Sequence, residues 1–368
     1  MVTFLPRHPG RLADVPSFDR AIGGAESNVA CTLARAGHTT RWISRVGADG
    51  FGDHLLDAIA GCGVDVRHVR RDPQRPTGVY FRTAGDRATD GHEVAYYRAG
   101  SAASAMTAAD VDPAALRAGR ILHLSGITAA LSADCLALLR ELTTRRPGRP
   151  LLSFDVNHRP GLWPDAARAR VLLDLARGAD LVFVGEDEAR DAWGLHGPQA
   201  ISRALPEPHT LVVKQGRTGA TVFRRTGEPG GRRDEPTGSA GFVHRDDATD
   251  FPRTGEPDDR RDASATTTFV PALDVDLVAA TGAGDAFAAG FLSAILRGLP
   301  DRARLRHGHL WAAAALTVPG DLATPPGRPY ADRLAALEDP AWERLHLAPG
   351  WTDADASGRR AHEEVTTQ

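Results

Sequence analysis

Five short apolar runs recur along the chain, and segments with a helical pattern lie between them. The runs cover residues 41–46, 121–124, 151–156, 181–184 and 211–214. Most of them are apolar at successive positions, which is typical of strands buried on both faces of a parallel sheet. Helical patterns cover residues 27–36, 51–61, 132–145 and 165–177. This order predicts an α/β fold, a three-layer α/β/α sandwich around a mostly parallel central sheet.

The composition excludes several classes of protein. The chain has 368 residues and a formal net charge of −3, so it offers no strongly basic surface to nucleic acid. No stretch reaches the roughly 20 apolar residues that span a bilayer, and residues 1–10 lack the pattern of a secretion signal. Cys31, Cys62 and Cys135 lie far apart in apolar segments, which predicts reduced thiols and no metal site. We expect a cytoplasmic protein without nucleic-acid or membrane partners.

Two stretches with strand character interrupt this order. Residues 78–82 and 93–98 carry aromatic or alternating apolar side chains beside polar loops. They predict a β-hairpin, which is either a small lid outside the main sheet or an edge hairpin of that sheet. As a lid, it would comprise about residues 12–24 and 76–100.

Residues 225–268 are rich in Gly, Pro, Asp and Arg and carry almost no apolar side chains. The segment 225–234 recurs with small changes at 253–262, as expected of a tandem duplication in a surface loop. Such a composition buries too little apolar surface to offset the entropy of ordering, so we predict a disordered insertion. The flanking strands, within 221–223 and 269–278, are expected to pair with each other.

The polar tail, residues 351–368, has a similar character and is also predicted to be disordered. Residues 1–350 are predicted to form a single domain that contains the lid and the insertion.

The segment from Thr281 to Gly290 carries the strongest chemical signal. Gly282, Ala283 and Gly284 form a turn of small residues that leads into an apolar helix. Such a turn leaves backbone N–H groups unpaired at the positive end of the helix dipole, where phosphate binds. Asp285 follows in the first turn, where it could take a proton from a hydroxyl group. This pattern indicates phosphoryl transfer to an alcohol, although Asp285 could instead simply complement the helix dipole.

A second glycine pair lies near the start of the chain, where Gly23 and Gly24 precede a helix that contains Asn28. Paired glycines allow a ligand to approach the backbone closely, and an asparagine side chain can both donate to and accept from a polyol. The alternative interpretation is a flexible entry to a helix N-terminus.

These two motifs, in this order and at opposite ends of the chain, resemble those of the ribokinase (PfkB) family of sugar kinases. Within the family, the sequence most resembles the 2-keto-3-deoxygluconate kinases. The likeness extends over about residues 18–338, the insertion excepted. The supporting residues are Gly37, Gly47 and the segments 77–80, 96–102, 123–128 and 155–159.

The resemblance implies a ribokinase-like fold, ATP and Mg²⁺ as cofactors, and a sugar acid as substrate. It places Gly24, Asn28, Tyr80, Tyr96 and Ile127 at the sugar. It places the nucleotide at the turn that contains Lys214, Gly216 and Gly219, with Asp321 near the active site. It also implies an indirect role for Glu188 in organising Mg²⁺ through water. Lids in this family pair between subunits, so the lid is the candidate surface for a homo-oligomer.

Arg98 and Arg159 support an acidic substrate independently of the resemblance. One lies in the predicted lid and the other just beyond a strand end. Guanidinium groups match a carboxylate geometrically, and a neutral sugar has no use for two of them. The alternatives that stay open are a neutral-sugar kinase, of fructokinase or ribokinase type, and a degenerate relative that binds sugar without phosphorylating it.

The sequence departs from the family pattern in three places. Gly185 stands where the family has an asparagine, three residues before Glu188, and Ala279 stands at a position that is often acidic. The opening strand of the family, in the middle of its sheet, is also missing, because residues 2–5 run directly into Pro6. We therefore expect that Met1 is an internal methionine of a longer reading frame.

Overall fold

The computed structural model of the protein describes residues 1–83, 93–163, 165–225 and 265–355. The strands in this part are β1 Val2–Pro6, β2 Phe18–Ile22, β3 Ser44–Gly47, β4 Val69–Asp72, β5 Val79–Arg82, β6 Val94–Tyr97, β7 Ile121–Ser125, β8 Leu151–Asp155, β9 Leu181–Gly185, β10 Thr210–Lys214, β11 Gly219–Arg225, β12 Ala265–Pro271, β13 Asp274–Val275 and β14 His346–Leu347. The helices are α1 Ala25–Arg35, α2 Gly50–Gly61, α3 Pro113–Arg117, α4 Gly126–Ala129, α5 Ala133–Thr143, α6 Ala166–Gly178, α7 Glu186–Trp193, α8 Pro198–Ala204, α9 Ala283–Leu296, α10 Asp301–Leu316, α11 Arg328–Ala335 and α12 Asp339–Glu343.

Six strands form the main sheet, in the order β12-β11-β10-β9-β8-β7. Strands β7 to β10 are parallel, and β11 and β12 continue the sheet as antiparallel neighbours. Four of the five predicted apolar runs therefore lie side by side, as the sequence indicated. The fifth run, residues 41–46, was assigned wrongly to this sheet, because β3 pairs with β4 in a separate two-stranded sheet. An apolar run shows that a strand is buried but does not show which strand it pairs with.

Helices cover both faces of the main sheet, and alternate side chains of a strand enter opposite cores. On β9, Phe183 packs in the core formed with α1, α9 and α10, whereas Val182 and Val184 pack in the core formed with α5 to α8. Phe183 meets Phe291 of α9 edge to face, with ring centroids 5.4 Å apart. Such a pair adds about 0.5–1.5 kcal/mol to the stabilisation from burial. The predicted three-layer sandwich is thus confirmed.

The predicted helices form within about two residues of their expected bounds, and side-chain caps explain where two of them begin. Ser132 Oγ accepts a hydrogen bond from Cys135 N at 3.0 Å before α5, and Asp49 Oδ1 accepts one from Gly52 N at 2.8 Å before α2. These caps satisfy N–H groups that lack a partner inside the helix.

A second, four-stranded sheet lies outside the main sheet, in the order β2-β1-β5-β6. Its β5–β6 pair is the predicted hairpin, so the interpretation of that hairpin as an edge of the main sheet is wrong. Phe4 of β1 stacks on Phe81 of β5, with ring centroids 4.6 Å apart. We call these four strands the outer sheet. The part of the predicted lid at residues 84–92 lies outside the described residues.

Strand β1 was not foreseen, because residues 2–5, which run directly into Pro6, were interpreted as a sign that the opening strand is absent. It pairs antiparallel with β2 and parallel with β5, so it belongs to the outer sheet. The main sheet of the described residues has no strand that corresponds to the expected opening strand.

The borders of two segments predicted to be disordered need correction. Arg225 belongs to β11, and residues 265–268 belong to β12, which pairs with β11 through Thr221 and Phe269. Trp351–Asp355 forms a short 3₁₀-helix, and the Trp351 side chain is buried, so the tail begins later than expected. Residues 226–264 and 356–368, where the remaining predictions of disorder fall, lie outside the described residues.

Within the described ranges, none of the helices combines the length and the apolar character that crossing a membrane requires. The three cysteines carry free thiols, and Cys31 and Cys135 are buried.

Candidate active site

Charged side chains gather at the carboxyl ends of the central strands. Asp155 ends β8, Lys214 ends β10, and Glu188 lies in the first turn of α7, directly after β9. The pairing of Lys214 with Gly185, and of Asp155 with Phe183, aligns these ends. This edge of a parallel sheet is where α/β proteins bind their ligands.

Helix α9 points its N-terminus at this edge. Gly282 caps the helix with φ 82°, and a Cβ atom there would lie 2.1 Å from the carbonyl oxygen of Asp321. Only glycine meets both conditions, because other residues are strained at this φ and would also clash with the backbone. The helical bond from Ala286 N to Gly282 O leaves the preceding N–H groups, of Ala283, Gly284 and Asp285, without a helical acceptor. The predicted glycine turn is therefore formed, and its binding of an anion remains a prediction.

Asp285 lies in the first turn of α9 and is held by Asn28 of α1. Asn28 Nδ2 donates to Asp285 Oδ2 at 2.8 Å, which joins the two predicted motifs across 257 residues of sequence. Burial raises the pKa of Asp285 to about 7, and the Asp155 carboxylate adds to this rise. The Asn28 hydrogen bond and the charges of Arg159 and Lys214 oppose it. A carboxyl group with a pKa near neutrality is suited to accept and return a proton.

Lys214 forms a buried ion pair with Asp155, with distances of 3.1 and 3.2 Å from Nζ to the two carboxylate oxygens. Burial alone would lower the pKa of Lys214, but the Asp155 and Glu188 carboxylates outweigh it and the pKa is raised. A Cβ atom on Gly284 would lie 3.6 Å from Lys214 Nζ. The ammonium group is therefore positioned beside the N-terminal turn of α9.

Glu188 is bound at both of its oxygens. Gly185 N donates to Oε2 at 2.9 Å, and Arg159 Nη1 donates to Oε1 at 3.2 Å. Burial would raise the pKa of Glu188, but Lys214, Arg159 and these hydrogen bonds lower it overall. Glycine at position 185 does not prevent this arrangement, because the contact uses the backbone N–H.

The two predicted arginines occupy different settings. Arg159 is engaged by Glu188 and by the carbonyl oxygen of His158, at 2.8 Å. Arg98 lies over the ring of Tyr96, with its Cζ 4.4 Å from the ring centroid, and has no ion-pair partner in the part of the chain that the structure describes. Burial lowers the pKa of Arg98, and the charge of Arg159 adds to that effect. The two guanidinium groups are thus close enough to repel each other, but only Arg98 lacks a carboxylate.

Asp321, which was predicted among the cofactor-binding residues, contacts the outer sheet through its side chain. Its carboxylate accepts the hydroxyl hydrogen bond of Tyr80 and lies 3.1 Å from Arg82 Nη2. All three side chains are buried. The Asp321 backbone lies at the N-terminus of α9, where a Cβ atom on Gly282 would be 2.1 Å from the Asp321 carbonyl oxygen, so the contact of Asp321 with the cofactor remains a prediction. Tyr80 donates its hydroxyl hydrogen to Asp321, and its contact with the sugar remains a prediction.

The family is decided by comparison with known proteins. The family model for pfkB carbohydrate kinases matches residues 2–233 and 262–326. The chain belongs to the pfkB family of carbohydrate kinases. The predicted family resemblance is confirmed.

Similar proteins of this family span nearly the whole chain. A 2-dehydro-3-deoxygluconokinase of Bacillus subtilis (strain 168) is 32% identical over 344 residues, which are 92% of either chain. One of Thermoproteus tenax is 32% identical over 334 residues, 89% of this chain and 90% of its own. The crystal structure of a PfkB protein from Polaromonas sp. JS666 superposes with a TM-score of 0.70 at 31% identity, covering 90% of this chain and 96% of its own.

Three other residues predicted at the sugar lie at the beginning of α1, at the beginning of α4 and on β6. Gly24 precedes α1 with φ 143°, and its carbonyl oxygen accepts from Ser27 Oγ and from Asn28 N. Ile127 follows β7, and Tyr96 is exposed on β6. Their positions are compatible with a sugar bound between α1, β7 and the outer sheet.

Gly216 and Gly219 belong to the tight connection between β10 and β11. Their φ values are 56° and 144°, and Gln215 N donates to Gly219 O at 2.8 Å. This hairpin accounts for both glycines structurally, so their contact with a nucleotide remains a prediction.

The described residues contain no group of three His, Cys, Asp or Glu side chains that could enclose a metal ion. Mg²⁺ in phosphoryl-transfer sites keeps several waters and is held mainly by the phosphates and one or two carboxylates. The two carboxylates at the ends of the central strands, Asp155 and Glu188, already have cationic partners. The residues therefore fit an ion held chiefly by phosphate oxygens, and the indirect role of Glu188 remains a prediction.

Asp155 was not singled out from the sequence, although it lies at the centre of the charge cluster. Its position after the apolar run of β8 was a usable signal, because the carboxyl ends of neighbouring parallel strands meet at one edge. The same reasoning groups it with Lys214, at the end of β10.

Proposed function

We propose that this kinase transfers the γ-phosphoryl group of ATP to the primary hydroxyl of 2-dehydro-3-deoxygluconate and forms its 6-phosphate. The proposal depends most on one observation: Asp285, a carboxyl group with a pKa of about 7, lies at the N-terminus of α9, and Arg98, a partly buried arginine, has no carboxylate partner in the described chain. Arg159 lies within electrostatic range of both side chains. The names of the two relatives agree with this substrate.

The catalytic step uses Asp285 as the base. Its carboxylate takes the proton of the hydroxyl group as the hydroxyl oxygen attacks the γ-phosphorus, and the bond to the bridging oxygen of ADP breaks. A pKa of about 7 keeps a large share of Asp285 ionised at neutral pH while preserving its basicity. Asn28 fixes the orientation of the carboxylate through its 2.8 Å hydrogen bond.

The first-turn amides of α9 and the Lys214 ammonium supply positive charge where the transferred phosphoryl group develops negative charge. The amides of Ala283 and Gly284 are preorganised by the Gly282 turn, so they need no rearrangement during the reaction. Asp155 holds Lys214 in place. When bound, Mg²⁺ would neutralise the ATP phosphates, and Glu188 is the residue assigned to its water shell.

Arg98 is the residue proposed to bind the substrate carboxylate. Its guanidinium is partly buried, lies over Tyr96 and is repelled by Arg159, so an incoming carboxylate relieves unbalanced positive charge. Arg159 forms an ion pair with Glu188, so it would attract the substrate carboxylate only at longer range. Gly24, Asn28, Tyr96 and Ile127 would line the sugar, with the ring of Tyr80 behind them.

The test compares acceptors and an Arg98 variant in an assay of ADP release. The wild type is expected to use 2-dehydro-3-deoxygluconate with a kcat/KM at least about 100-fold above that for fructose. A neutral sugar cannot form the charge-assisted hydrogen bonds that a carboxylate forms with the Arg98 guanidinium. Arg98→Met should lower kcat/KM for the acid by about 100-fold and leave that for fructose nearly unchanged. Tyr97→Phe, at the exposed end of β6 directly before Arg98, is the control.

Two outcomes would contradict the proposal. Equal rates on the acid and on fructose would favour a neutral-sugar kinase. Thermal stabilisation by the sugar acid without any ADP release would indicate a relative that binds sugar but does not phosphorylate it.

A further inference from the structure

A hydrogen bond between α1 and α4 joins two segments that carry residues predicted at the sugar. Thr128 Oγ1 of α4 donates to Glu26 Oε1, in the first turn of α1, at 2.5 Å, although 102 residues of sequence separate them. Both side chains are partly buried. A hydrogen bond to a carboxylate is shorter and about twice as strong as one between neutral groups. Glu26 therefore ties α4 to the start of α1.

The Glu26 carboxylate has further partners at the end of β7. Burial raises the pKa of Glu26, and the Thr128 hydroxyl opposes this rise. The backbone N–H groups of Glu26 and Ser125 and the Met1 amino group oppose it as well. Ser125 is the last residue of β7, and its Oγ caps α4 by accepting a hydrogen bond from Ile127 N at 3.2 Å. The carboxylate thus interacts with both the end of β7 and the helix that follows it.

Helix α4 depends on such external contacts. It comprises only Gly126–Ala129, a single turn, and helices this short are not stable on their own. One contact is with the end of β8, because a Cβ atom on Gly126 would lie 2.1 Å from the carbonyl oxygen of Val156. A second is the hydrogen bond from Thr128 to Glu26. The position of α4 is therefore set by both β8 and α1.

A short series of contacts connects α4 to the predicted base. Ile127, which is predicted at the sugar, directly precedes Thr128. On α1, Asn28 follows Glu26 by two residues, and its Nδ2 donates to Asp285 Oδ2 at 2.8 Å. A displacement of α4 relative to α1 would therefore change where the sugar lies relative to Asp285.

Glu26 and Asn28 face different neighbours. Residues two apart do not share a face of a helix, and accordingly Asn28 contacts α9 whereas Glu26 contacts α4. A misplacement of the reacting groups by about 1 Å can cost about 100-fold in rate, even when its origin is far from the chemistry. Glu26 can therefore affect the reaction through the position of α4 without touching the reacting atoms.

We propose that Glu26 is a positioning residue for phosphoryl transfer. Through Thr128 it fixes the Ile127 side of the sugar site relative to Asp285, so that the acceptor hydroxyl meets the base. This role rests on the proposed function, in which Asp285 takes the proton of that hydroxyl. Loss of the hydrogen bond should lower kcat, because the orientation of the hydroxyl matters most in the transition state. The KM for the sugar acid should change little, since the Arg98 contact with its carboxylate is retained.

Two variants of Thr128 separate the hydrogen bond from packing. Thr128→Val keeps the branched shape without the hydroxyl, whereas Thr128→Ser keeps the hydroxyl without the methyl group. Both preserve the charge of Glu26 and its interaction with Met1. In the ADP-release assay with 2-dehydro-3-deoxygluconate, Thr128→Val should lower kcat about tenfold and raise the KM for the acid less than about threefold. Thr128→Ser should keep kcat within about threefold of the wild type.

Thr144→Val is the matched control. Thr144 is exposed, and its Oγ1 donates to Arg140 O at 2.9 Å just beyond the end of α5, so the same substitution removes a hydrogen bond outside the predicted site. It should change neither kcat nor KM. The urea midpoint of every variant is measured alongside, to establish that the protein is folded in the assay.

A double variant tests whether Glu26 acts through Thr128. Glu26→Gln removes the charge and keeps the shape, so it weakens the same contact that Thr128→Val breaks. The losses in kcat should therefore not multiply, and the double variant should fall no more than about threefold below the weaker single variant.

Three results would overturn the positioning role. They are a kcat for Thr128→Val within about threefold of the wild type, an equal loss in Thr128→Ser, and losses that multiply in the double variant. Each would occur in an enzyme whose wild type phosphorylates the acid, so it is distinct from failure of the proposed function. If the wild type prefers fructose, the proposed function fails, and the same ratios measured on fructose still test Glu26. A wild type that is inactive on both acceptors would contradict both proposals.

Discussion

At the scale of single residues, the properties of Asp285 follow from its neighbours. The carboxyl group is buried near another carboxylate, Asp155, and is stabilised by one amide donor and two cations at longer range. Burial is the largest of these effects, and it places the pKa of Asp285 near 7 and not near 4. This value links the chemistry of the site to the stability of the fold, because the same ionisation affects both.

The pH dependence of the reaction should reflect this ionisation. Because only ionised Asp285 accepts a proton, kcat/KM is expected to rise as pH increases through about 7 and to level off above it. The substrate carboxylate stays ionised throughout the range from about pH 5 to 9. Asp285→Asn should lower kcat by about 1,000-fold, within the range for loss of a general base. A flat profile across that range would contradict the assignment of Asp285 as base.

The same substitution should stabilise the protein at high pH. A folded-state pKa raised from 3.8 to about 7 means that the native state holds the proton more tightly than the unfolded state, so stability falls as pH rises through this window. The full shift corresponds to about 4 kcal/mol, and partial contact with solvent reduces it to about 2 kcal/mol. Asp285→Asn should therefore unfold at higher urea concentration than the wild type at about pH 8, and at nearly the same concentration at about pH 4. A lower midpoint at the higher pH would count against a buried, strained carboxylate.

At the scale of secondary-structure elements, the start of α9 depends on one backbone conformation. Gly282 combines a left-handed φ with a carbonyl oxygen of Asp321 so close that no side chain fits. Gly298, just beyond the C-terminus of the same helix, has a similar φ of 72°, but a Cβ atom added there would meet nothing within 4 Å. A side chain at position 298 would therefore cause backbone strain alone, whereas one at position 282 would cause both backbone strain and a steric clash.

Alanine at each of these glycines gives a matched comparison. Gly298→Ala should cost about 1 kcal/mol of unfolding free energy, from the left-handed φ alone, and leave kcat/KM unchanged. Gly282→Ala should cost at least about 2 kcal/mol, because Asp321 must also move, and should lower kcat/KM by about 100-fold through displaced amides. Urea unfolding and the ADP-release assay measure both effects. Similar losses for the two variants would show that the contact with Asp321 does not matter.

At the scale of the whole molecule, the sequence predicted the layers better than the connections between them. Continuous apolar runs identified β7 to β10, and the order of elements predicted the sandwich, because a strand that is buried on both faces has apolar residues at successive positions. Such runs could not show that β3 pairs with β4, nor that Val2–Pro6 pairs with β5, since strand pairing depends on residues far apart in the chain.

The residues of the candidate site also differ in whether the sequence could predict their roles. Gly282 and Asp285 were predictable because a helix N-terminus is encoded locally. The role of Asp321 was not predictable, because its partners Tyr80 and Arg82 lie about 240 residues away and are recognised only once the outer sheet is placed against the main domain. Arg159 was predicted to face the substrate, and its contact with Glu188 depends likewise on the neighbouring strand end.

The link between the two sheets leads to a final prediction. The buried Tyr80 hydroxyl donates a hydrogen bond to the Asp321 carboxylate. Tyr80→Phe removes this hydrogen bond and should lower the unfolding free energy by about 1–3 kcal/mol. The looser outer sheet should raise the KM for the sugar several-fold with little change in kcat, because Tyr80 does not touch the reacting atoms. Tyr97→Phe, on the exposed side of the adjacent strand, should change neither quantity. If Tyr80→Phe behaved like that control, the buried Tyr80–Asp321 contact would not be what holds the outer sheet over the substrate.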